Sequence, residues 1–268
     1  MSSLDATLIR RTLAAKPTAQ LDDLELFGSI ASTNTYLLAQ PAPEAGRFRV
    51  AIADHQTSGR GRHFRRWVSP PGAGLCLSLA YTFEEHPDEL PSLTLAIGVG
   101  IIAALKNLGI EGISLKWPND IVALDGKMGG ILTEVQSGVS GGVTIVTGIG
   151  LNVDLSGSTE IGMESEWAQR AVDINSIVAA VPRREVIAAG VINTLHGVMR
   201  KFAALGFVGF AEDWAGYDWL RGREITVELP DRQVSGTAIG VNPGGALLVD
   251  TGNEQIPVVS GSITLKAS

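Results

Sequence analysis

The chain has 268 residues, of which 45% are hydrophobic and 18% are charged, a composition that builds a buried core and excludes a disordered chain. Its 21 Lys and Arg against 28 Asp and Glu give a net charge of −7, which argues against binding nucleic acid over the whole surface. The single cysteine, Cys76, excludes a disulfide framework. No apolar stretch reaches the roughly 20 residues that span a bilayer, and the N-terminus lacks a signal-peptide pattern. We therefore expect a soluble, cytoplasmic protein.

Glycine is in clear excess, with 32 of 268 residues, or about 12% against roughly 7% in ordinary proteins. The glycines cluster, for example at 59–62, 98–100, 129–130 and 148–150. Glycine is favoured where the backbone turns with positive φ or comes close to another group. Several such places in one chain predict a ligand held against backbone.

Hydrophobic periodicity predicts a mixture of helices and strands over the first part of the chain. In chain order these are a helix at 4–15 stopped by Pro17, a strand at 24–30, a helix at 34–40, strands at 49–54 and 75–82, a helix at 88–108, strands at 113–116, 131–136 and 143–149, and helices at 173–181, 184–205 and 208–219. Residues 98–103 match a loose dinucleotide-binding pattern. Because they lie inside a helical pattern, we expect these glycines to permit close packing instead.

The predicted secondary structure changes after Arg221-Gly222, where the predicted helices end. Short strands are predicted at 224–229, 234–241, 246–250, 255–259 and 262–265, with Pro, Asn and Gly in the turns between them. This pattern indicates a small β-barrel or sandwich. We therefore divide the chain into a larger α+β domain over 1–221 and a small β domain over 222–268.

The most unusual segment is the loop between the strands predicted at 49–54 and 75–82. Residues 55–67 contain four arginines, at positions 60, 62, 65 and 66, with no acidic residue, and end in Trp67. A charge run is usually a solvated face or a nucleic-acid contact. Here, however, arginine alternates with glycine, and guanidinium groups bind phosphate or carboxylate in a bidentate manner. The loop is thus predicted to clamp an anion and, since its like charges repel, to be mobile until that anion binds.

Two further motifs carry polar side chains at the ends of predicted strands. The sequence KWPND at 116–120 places Lys116, Asn119 and Asp120 where they could face one site, although a plain strand-end turn uses the same residue types. The sequence GKMGGIL at 126–132 then presents Lys127 on a glycine-flanked turn before an apolar strand. A lysine in this setting is either a surface residue or a cation that binds phosphate.

Taken together, five motifs resemble one family, the biotin protein ligases. They are Ser32-Thr33-Asn34, the GRGR loop closing on Trp67, KWPND, GKMGGIL and Gly148-Ile-Gly-Leu-Asn152. They occur in the family's order and at about its spacing, from residue 28 to the C-terminal strands. The resemblance implies a mixed-sheet α/β catalytic domain followed by an SH3-like barrel. It also implies an enzyme that joins biotin and ATP to biotinyl-5′-AMP and then acylates a lysine of a biotin carboxyl carrier protein.

The resemblance also implies which residues form the site. Biotin would be bound by Ser32, Thr33, Asn34, Gln56, Gly59, Arg60, Arg62, Lys127, Gly130 and Gly148. ATP and the adenylate would be bound by Arg62, Arg65, Trp67, Lys116, Asn119, Lys127, Asn152 and Lys266, with Trp67 stacked on adenine. The catalytic residues would be Arg62, Lys116, Asp120 and Lys127. Lys116 and Asp120 could serve phosphate, Mg²⁺ or the incoming amine, and Asp120 is the candidate Mg²⁺ ligand.

Three departures from the family pattern affect these expectations. Phe64 stands where the family usually has glycine, which predicts stiffer loop closure. Lys266 replaces an arginine that reaches ATP in some relatives, which predicts a monodentate contact. Only about 27 residues precede the first strand motif, so a DNA-binding repressor domain is not expected, and the form expected is monofunctional.

The expected partners are biotin, ATP and a carrier protein, without DNA or membrane, in a monomer or weak homodimer. Two other functions remain open at this point: a lipoate ligase or octanoyl transferase of the same superfamily, and a binder without catalysis, either a biotin sensor or a DNA-binding regulator. The acidic charge balance and the short N-terminal segment argue against the DNA-binding regulator. The GRGR loop with Trp67 and KWPND favour biotin over lipoate, and Lys127 favours catalysis over sensing.

Overall fold

The computed structural model describes residues 4–136, 142–156 and 170–265. The helices are α1 (Ala6–Thr12), α2 (Ala15–Gln20), α3 (Thr33–Leu38), α4 (Leu93–Lys106), α5 (Arg184–Leu205) and α6 (Ala211–Tyr217). The strands of a first sheet are β1 (Leu21–Phe27), β2 (Phe48–Ala53), β3 (Gly74–Phe83), β4 (Ile113–Lys116), β5 (Asp120–Ala123), β6 (Gly126–Gln136) and β7 (Val143–Asn152). Those of a second sheet are β8 (Glu224–Glu228), β9 (Gln233–Val241), β10 (Leu247–Asp250), β11 (Gln255–Val258) and β12 (Ser262–Leu265).

The first sheet has seven strands in the order β1-β2-β3-β7-β6-β5-β4. Strands β1 and β2 are parallel, whereas every other neighbouring pair is antiparallel. The sheet is therefore mixed, and the predicted α/β mixed-sheet class is confirmed.

The second sheet has five antiparallel strands in the order β11-β10-β9-β8-β12. It lies against the first sheet: Trp117 Nε1, next to β4, donates a hydrogen bond to the carbonyl oxygen of Gly245, before β10, at 2.9 Å, and Lys116 Nζ of β4 lies 3.4 Å from Ile263 O of β12. A small C-terminal β domain is therefore present, as predicted. The boundary between residues 221 and 222 stays a prediction.

Helices cover both faces of the first sheet. Along β2 the side chains alternate: Val50 and Ile52 pack into the large core with α4 and α5, whereas Ala51 packs with Leu37 of α3 on the opposite face. This is the period of two that a strand buried on both faces requires. Within the described residues, no helix combines the length and apolarity needed to cross a membrane.

The glycines of α4 serve packing, as expected. A Cβ atom at Gly98 would lie 3.0 Å from Leu115 Cδ2, and one at Gly100 would lie 2.5 Å from Val198 Cγ2. Both glycines are buried, and Gly100 is the point where α4 meets α5. The dinucleotide-like pattern is thus a helix-packing surface.

Several predicted boundaries near the helices are wrong. The predicted first helix is two helices, and Pro17 lies in the first turn of α2, where its missing N–H removes no intrahelical bond. The helix predicted at 173–181 is only a 3₁₀ turn at Ile174–Ser176, capped by Asp173, which also accepts from Leu155 N at 2.6 Å. The predicted helix at 208–219 divides into a 3₁₀ segment, Gly206–Phe210, and α6.

Around GKMGG the prediction of a turn is also wrong. Residues 126–130 already belong to β6, which pairs with β5 and β7. A Cβ atom at Gly129 would lie 2.6 Å from the carbonyl oxygen of Gly150, so glycine is needed for the two strands to approach. Lys127 therefore sits on a strand, which holds it more firmly than a turn does.

Gly100 and Gly197 offer a matched test of this packing, because both are helical but only the first faces a neighbour. Gly100→Ala forces a methyl group against the stiff, buried Val198, and we expect it to lower the free energy of unfolding by about 1–3 kcal/mol. Gly197 is exposed and a Cβ there meets nothing within 4 Å, so Gly197→Ala should raise it by about 0.5–1 kcal/mol. Urea denaturation of both variants measures the difference; equal effects would contradict the packing account.

Candidate active site

A cavity of about 490 Å³ lies between the first sheet, the Gly/Arg loop (residues 59–67) and strand β12. Most of the residues expected to form the site line it, namely Ser32, Thr33, Asn34, Gln56, Arg60, Arg62, Arg65, Trp67, Lys116, Asn119, Asp120, Lys127, Gly130 and Gly148. Gly59 and Asn152 are not part of this lining. Lys266 and the side chain of Phe64 fall outside what the structure describes, so the two departures they represent stay predictions.

One end of the cavity carries uncharged polar groups from the start of α3. Ser32 caps that helix by accepting from Thr35 N at 3.3 Å, which fixes the two residues that follow it. Thr33 donates to Gln56 Oε1 from its backbone N–H at 2.8 Å and from its hydroxyl at 3.1 Å. Asn34 donates from Nδ2 to Leu132 O at 3.2 Å. These buried amides and hydroxyls are thus oriented before any ligand arrives.

Ser78 belongs to the same group, although the sequence analysis did not single it out. It is fully buried on β3, and its Oγ lies 2.6 Å from both Thr33 Oγ1 and Asn34 Oδ1. The sequence carried a signal, because Ser78 is a polar residue within the apolar run Leu75–Ala80. A hydroxyl inside such a strand needs a buried partner.

The Gly/Arg loop folds back on itself beside this end. Trp67 N donates to Gly59 O at 3.0 Å, and Gly61 N donates to Arg65 O at 2.7 Å. The indole of Trp67 packs directly on Gly150, where a Cβ would lie 2.4 Å from Cε2 of the ring. Glycine at 150 is therefore what allows the indole to lie flat against β7 at the cavity wall.

The arginines of the loop are spread among separate partners. Arg60 forms an ion pair with Glu134, whereas Arg65 donates to Ser262 Oγ of β12 at 3.2 Å. Arg62 lies 3.5 Å from Asn119 Oδ1, and burial lowers its pKa while the nearby Asp120 carboxylate raises it. Because the guanidinium groups point to different partners, they repel one another less than the sequence suggested. The mobility of the loop stays a prediction.

Positive charge gathers at the other end of the cavity, around the KWPND motif. Lys116 ends β4 and Asp120 begins β5, and the two are paired across the strands; a cis Trp117-Pro118 bond lies between them. Lys127 Nζ is 2.7 Å from Asp120 Oδ1. Register between three neighbouring strands thus brings both lysines near one carboxylate, an arrangement that the sequence analysis did not predict.

Lys116 is the most strongly buried of these cations, at 5% exposure. Its Nζ lies 3.4 Å from Ile263 O of β12. Burial lowers the pKa of Lys116 from 10.5 to about 8; Asp120 opposes this shift, and Lys127 and Arg65 add to it. A lysine with such a pKa exists in both charged and neutral forms near pH 8.

Asn152 does not take the position expected of it, and Gly148 has an additional packing role. Asn152 is buried away from the cavity, and its Nδ2 donates to Lys127 O at 3.3 Å and Val172 O at 3.0 Å. It therefore anchors the strand that carries Lys127 instead of lining the nucleotide end. At Gly148 a Cβ would lie 2.4 Å from Asn34 Oδ1, so the space that glycine provides there is filled by Asn34.

The metal-binding capacity of the site is small. Among the described residues, no group of three or more His, Cys, Asp or Glu side chains is close enough to hold a metal ion. Asp120 is a single carboxylate, already paired with Lys127. Such a site fits Mg²⁺ only when other ligands, such as phosphate oxygens, complete its shell.

Comparison with known proteins agrees with this geometry. A model of the biotin/lipoate A/B protein ligase family matches residues 26–152, and a model of the biotin protein ligase C terminal domain matches residues 221–266. The biotin–[acetyl-CoA-carboxylase] ligase of Mycobacterium tuberculosis is 31% identical over 246 residues, covering 90% of this chain and 88% of that protein. The bifunctional ligase/repressor BirA of Salmonella typhimurium is 30% identical over 255 residues, covering 93% and 77%.

Among solved structures, the biotin protein ligase from Aquifex aeolicus in complex with biotin and ATP matches with a TM-score of 0.75. It is 26% identical and covers 92% of this chain and 100% of that one. The fold and the site thus define a ligase of the biotin/lipoate type. The chain belongs to the biotin protein ligase family, as its motifs predicted.

The charge state of Lys116 can be measured directly. Because burial disfavours the ammonium, we expect Lys116 to be charged below pH 8 and neutral above it, with a midpoint of about 8. In protein labelled with ¹³C at lysine Cε, one resonance should titrate with that midpoint and be absent from Lys116→Arg. A Lys116 resonance that keeps its charged-state shift up to roughly pH 10, the ordinary range of lysine, would contradict the burial account.

Proposed function

We propose that this ligase condenses biotin with ATP to biotinyl-5′-AMP and pyrophosphate, and then transfers the biotinyl group to a lysine of a biotin carboxyl carrier protein domain. The observation that carries the proposal is the polarity of one cavity, which has oriented uncharged hydrogen-bonding groups at one end and clustered cations at the other. Biotin is divided in the same way, because its ureido ring is polar but uncharged and its carboxylate is negatively charged.

Biotin fits the cavity by its chemistry. Its ureido ring offers N–H donors and a carbonyl acceptor, which match the amides and hydroxyls of Thr33, Asn34, Gln56 and Ser78. The apolar side chain of biotin would lie along Ile131 and Ile149, which also line the cavity. Its carboxylate would then point toward Arg62 and Lys127. The Aquifex aeolicus ligase, whose structure contains biotin and ATP, supports the presence of both substrates in one site.

In the first step a carboxylate oxygen of biotin attacks the α-phosphorus of ATP. A C(O)–O–P bond forms and the bond from the α-phosphorus to the bridging oxygen breaks, so that pyrophosphate leaves with its electron pair. Negative charge develops on the α-phosphate oxygens, and Arg62 and Lys127 would stabilise it. Mg²⁺ arriving with ATP would be held mainly by phosphate oxygens, with Asp120 as one further ligand.

In the second step the neutral amine of a carrier lysine attacks the acyl carbonyl carbon. An amide bond forms, the C–O bond to AMP breaks with its electron pair staying on AMP, and the proton that the amine loses is released to solvent. Lys116, which is partly neutral near pH 8, and Asp120 are the chain's groups suited to contact the phosphate or the incoming amine. The Mycobacterium tuberculosis relative is a biotin–[acetyl-CoA-carboxylase] ligase, which supports a carboxylase carrier as the acceptor.

The decisive experiment incubates the protein with MgATP and, in parallel, with biotin, lipoate or octanoate. Mass spectrometry should detect biotinyl-5′-AMP only, and biotin should then appear on the lysine of an added carrier domain. Adenylation of lipoate or octanoate in preference to biotin would favour the other branch of the superfamily. No adenylate, while a carrier is labelled by a control ligase, would overturn the proposal.

Lys127→Ala tests the proposed role of the cation paired with Asp120. Without it, the charge that develops on the α-phosphate loses a direct partner, and we expect adenylate formation to slow by about 10²–10³-fold. Biotin should still bind, since its ureido contacts remain. Pyrophosphate release measures the rate, and calorimetry measures biotin binding.

The control for this variant is Lys106→Ala, which removes an exposed lysine that lies 5.4 Å from the ring centroid of Tyr217, in a contact away from the cavity lining. It should keep the wild-type rate. A Lys127→Ala rate within twofold of that control would remove Lys127 from the reaction.

A further inference from the structure

Glu134 of β6 joins two parts of the site that are far apart in the sequence. A single carboxylate oxygen, Oε2, accepts from Asn34 Nδ2 at 2.9 Å and is also the partner of Arg60 in an ion pair. Asn34 belongs to the uncharged end of the cavity and Arg60 to the Gly/Arg loop. Glu134 itself does not line the cavity, so any effect it has on the ligand passes through these two residues.

The contact with Asn34 determines which way its amide faces. Nδ2 points at two acceptors, Glu134 Oε2 and Leu132 O, and this leaves Oδ1 facing the hydroxyl of Ser78 at 2.6 Å. Because Asn34 is buried, at 3% exposure, the amide cannot turn without losing these bonds. Removing the carboxylate would leave one acceptor, a backbone carbonyl, to hold the orientation.

The contact with Arg60 holds the loop. Arg60 is the loop arginine that the structure pairs with a carboxylate, whereas Arg62 and Arg65 bond to the neutral side chains of Asn119 and Ser262. Its guanidinium reaches across to β6 from a segment whose backbone also carries Gly59 and Gly61. A loop that moves away from β6 must therefore break a bond to the same oxygen that orients Asn34.

We propose that Glu134 is a positioning residue that couples closure of the Gly/Arg loop to the orientation of Asn34, so that the loop and the uncharged end of the cavity engage biotin together. The inference rests on the proposed function, because it assumes that biotin occupies this end. Hydrogen bonds that share one acceptor in a partly buried network depend on each other. Binding of biotin would then stabilise the closed loop, and the closed loop would slow the departure of biotin.

The competing account is an ordinary surface ion pair, which contributes little. A matched pair exists in this chain: Arg47 and Asp22 form an ion pair with side-chain exposures of 35% and 20%, close to the 42% and 26% of Arg60 and Glu134. Asp22 lies outside the cavity lining. Asp22→Asn therefore controls for the loss of an exposed ion pair as such.

The test measures biotin binding and loop protection in the full chain. Glu134→Ala should raise the Kd for biotin at least about tenfold, mainly through faster dissociation, and should reduce the biotin-induced protection of residues 59–66 from protease. Glu134→Gln keeps an acceptor for Asn34 but loses the charge that holds Arg60, so it should lose loop protection with a smaller change in Kd. Asp22→Asn should match the wild type in both.

A double-mutant cycle completes the test. If Arg60 and Glu134 act together, Arg60→Gln combined with Glu134→Ala should bind biotin no more weakly than the worse single variant. Additive effects in the cycle, or a Kd for both Glu134 variants within twofold of wild type, would overturn the inference. Thermal unfolding identifies any variant that is not folded, in which case Glu134→Gln decides. Wild-type protein that does not bind biotin would instead overturn the proposed function itself.

Discussion

The site depends on holding several cations near one another with a single carboxylate among them. Lys127 is paired with Asp120, and Lys116 and Arg62 lie close enough for the same carboxylate to affect their pKa values. Burial and mutual repulsion both disfavour such a cluster. The strand register of β4, β5 and β6 holds it in place, and an anionic ligand would relieve it. The cluster therefore costs stability in the fold by itself and favours the binding of an anion, as the proposed function requires.

Much of this arrangement could be predicted from the sequence, because it depends on local patterns. The run from Arg49 to Asp54 alternates between two buried faces and indeed forms β2. KWPND was expected to turn Lys116 and Asp120 toward one site, and both line the cavity, although the strand β5 that begins at Asp120 was not predicted. Thr33 and Gln56 were expected in the site from the family resemblance, and both line the cavity.

The rest depends on contacts between distant segments, which periodicity does not encode. GKMGG reads locally as a turn, yet the approach of β7 makes it a strand. Asn152 was expected to face the nucleotide, but its amide instead bonds to the backbone of Lys127 and Val172. Gly148 lines the cavity as expected, and the absence of a side chain there also admits Asn34. The pattern at 173–181 is helical by spacing, yet the 3₁₀ turn Ile174–Ser176, which Asp173 caps, is not continued, and the next helix begins only at Arg184.

Strand β12 contributes to the cationic end through a main-chain atom, since the carbonyl oxygen of Ile263 is the group that faces Lys116 Nζ. Every residue type supplies that oxygen. A substitution at Ile263 would leave this carbonyl oxygen in place. A shift of the strand by one residue would instead turn the carbonyl away from Lys116. At Ile263 the constraint is therefore on the position of the backbone, whereas Ser262 also contributes its side chain, which accepts from Arg65. The two sheets therefore line one cavity partly through a main-chain contact, which a comparison of side chains does not register.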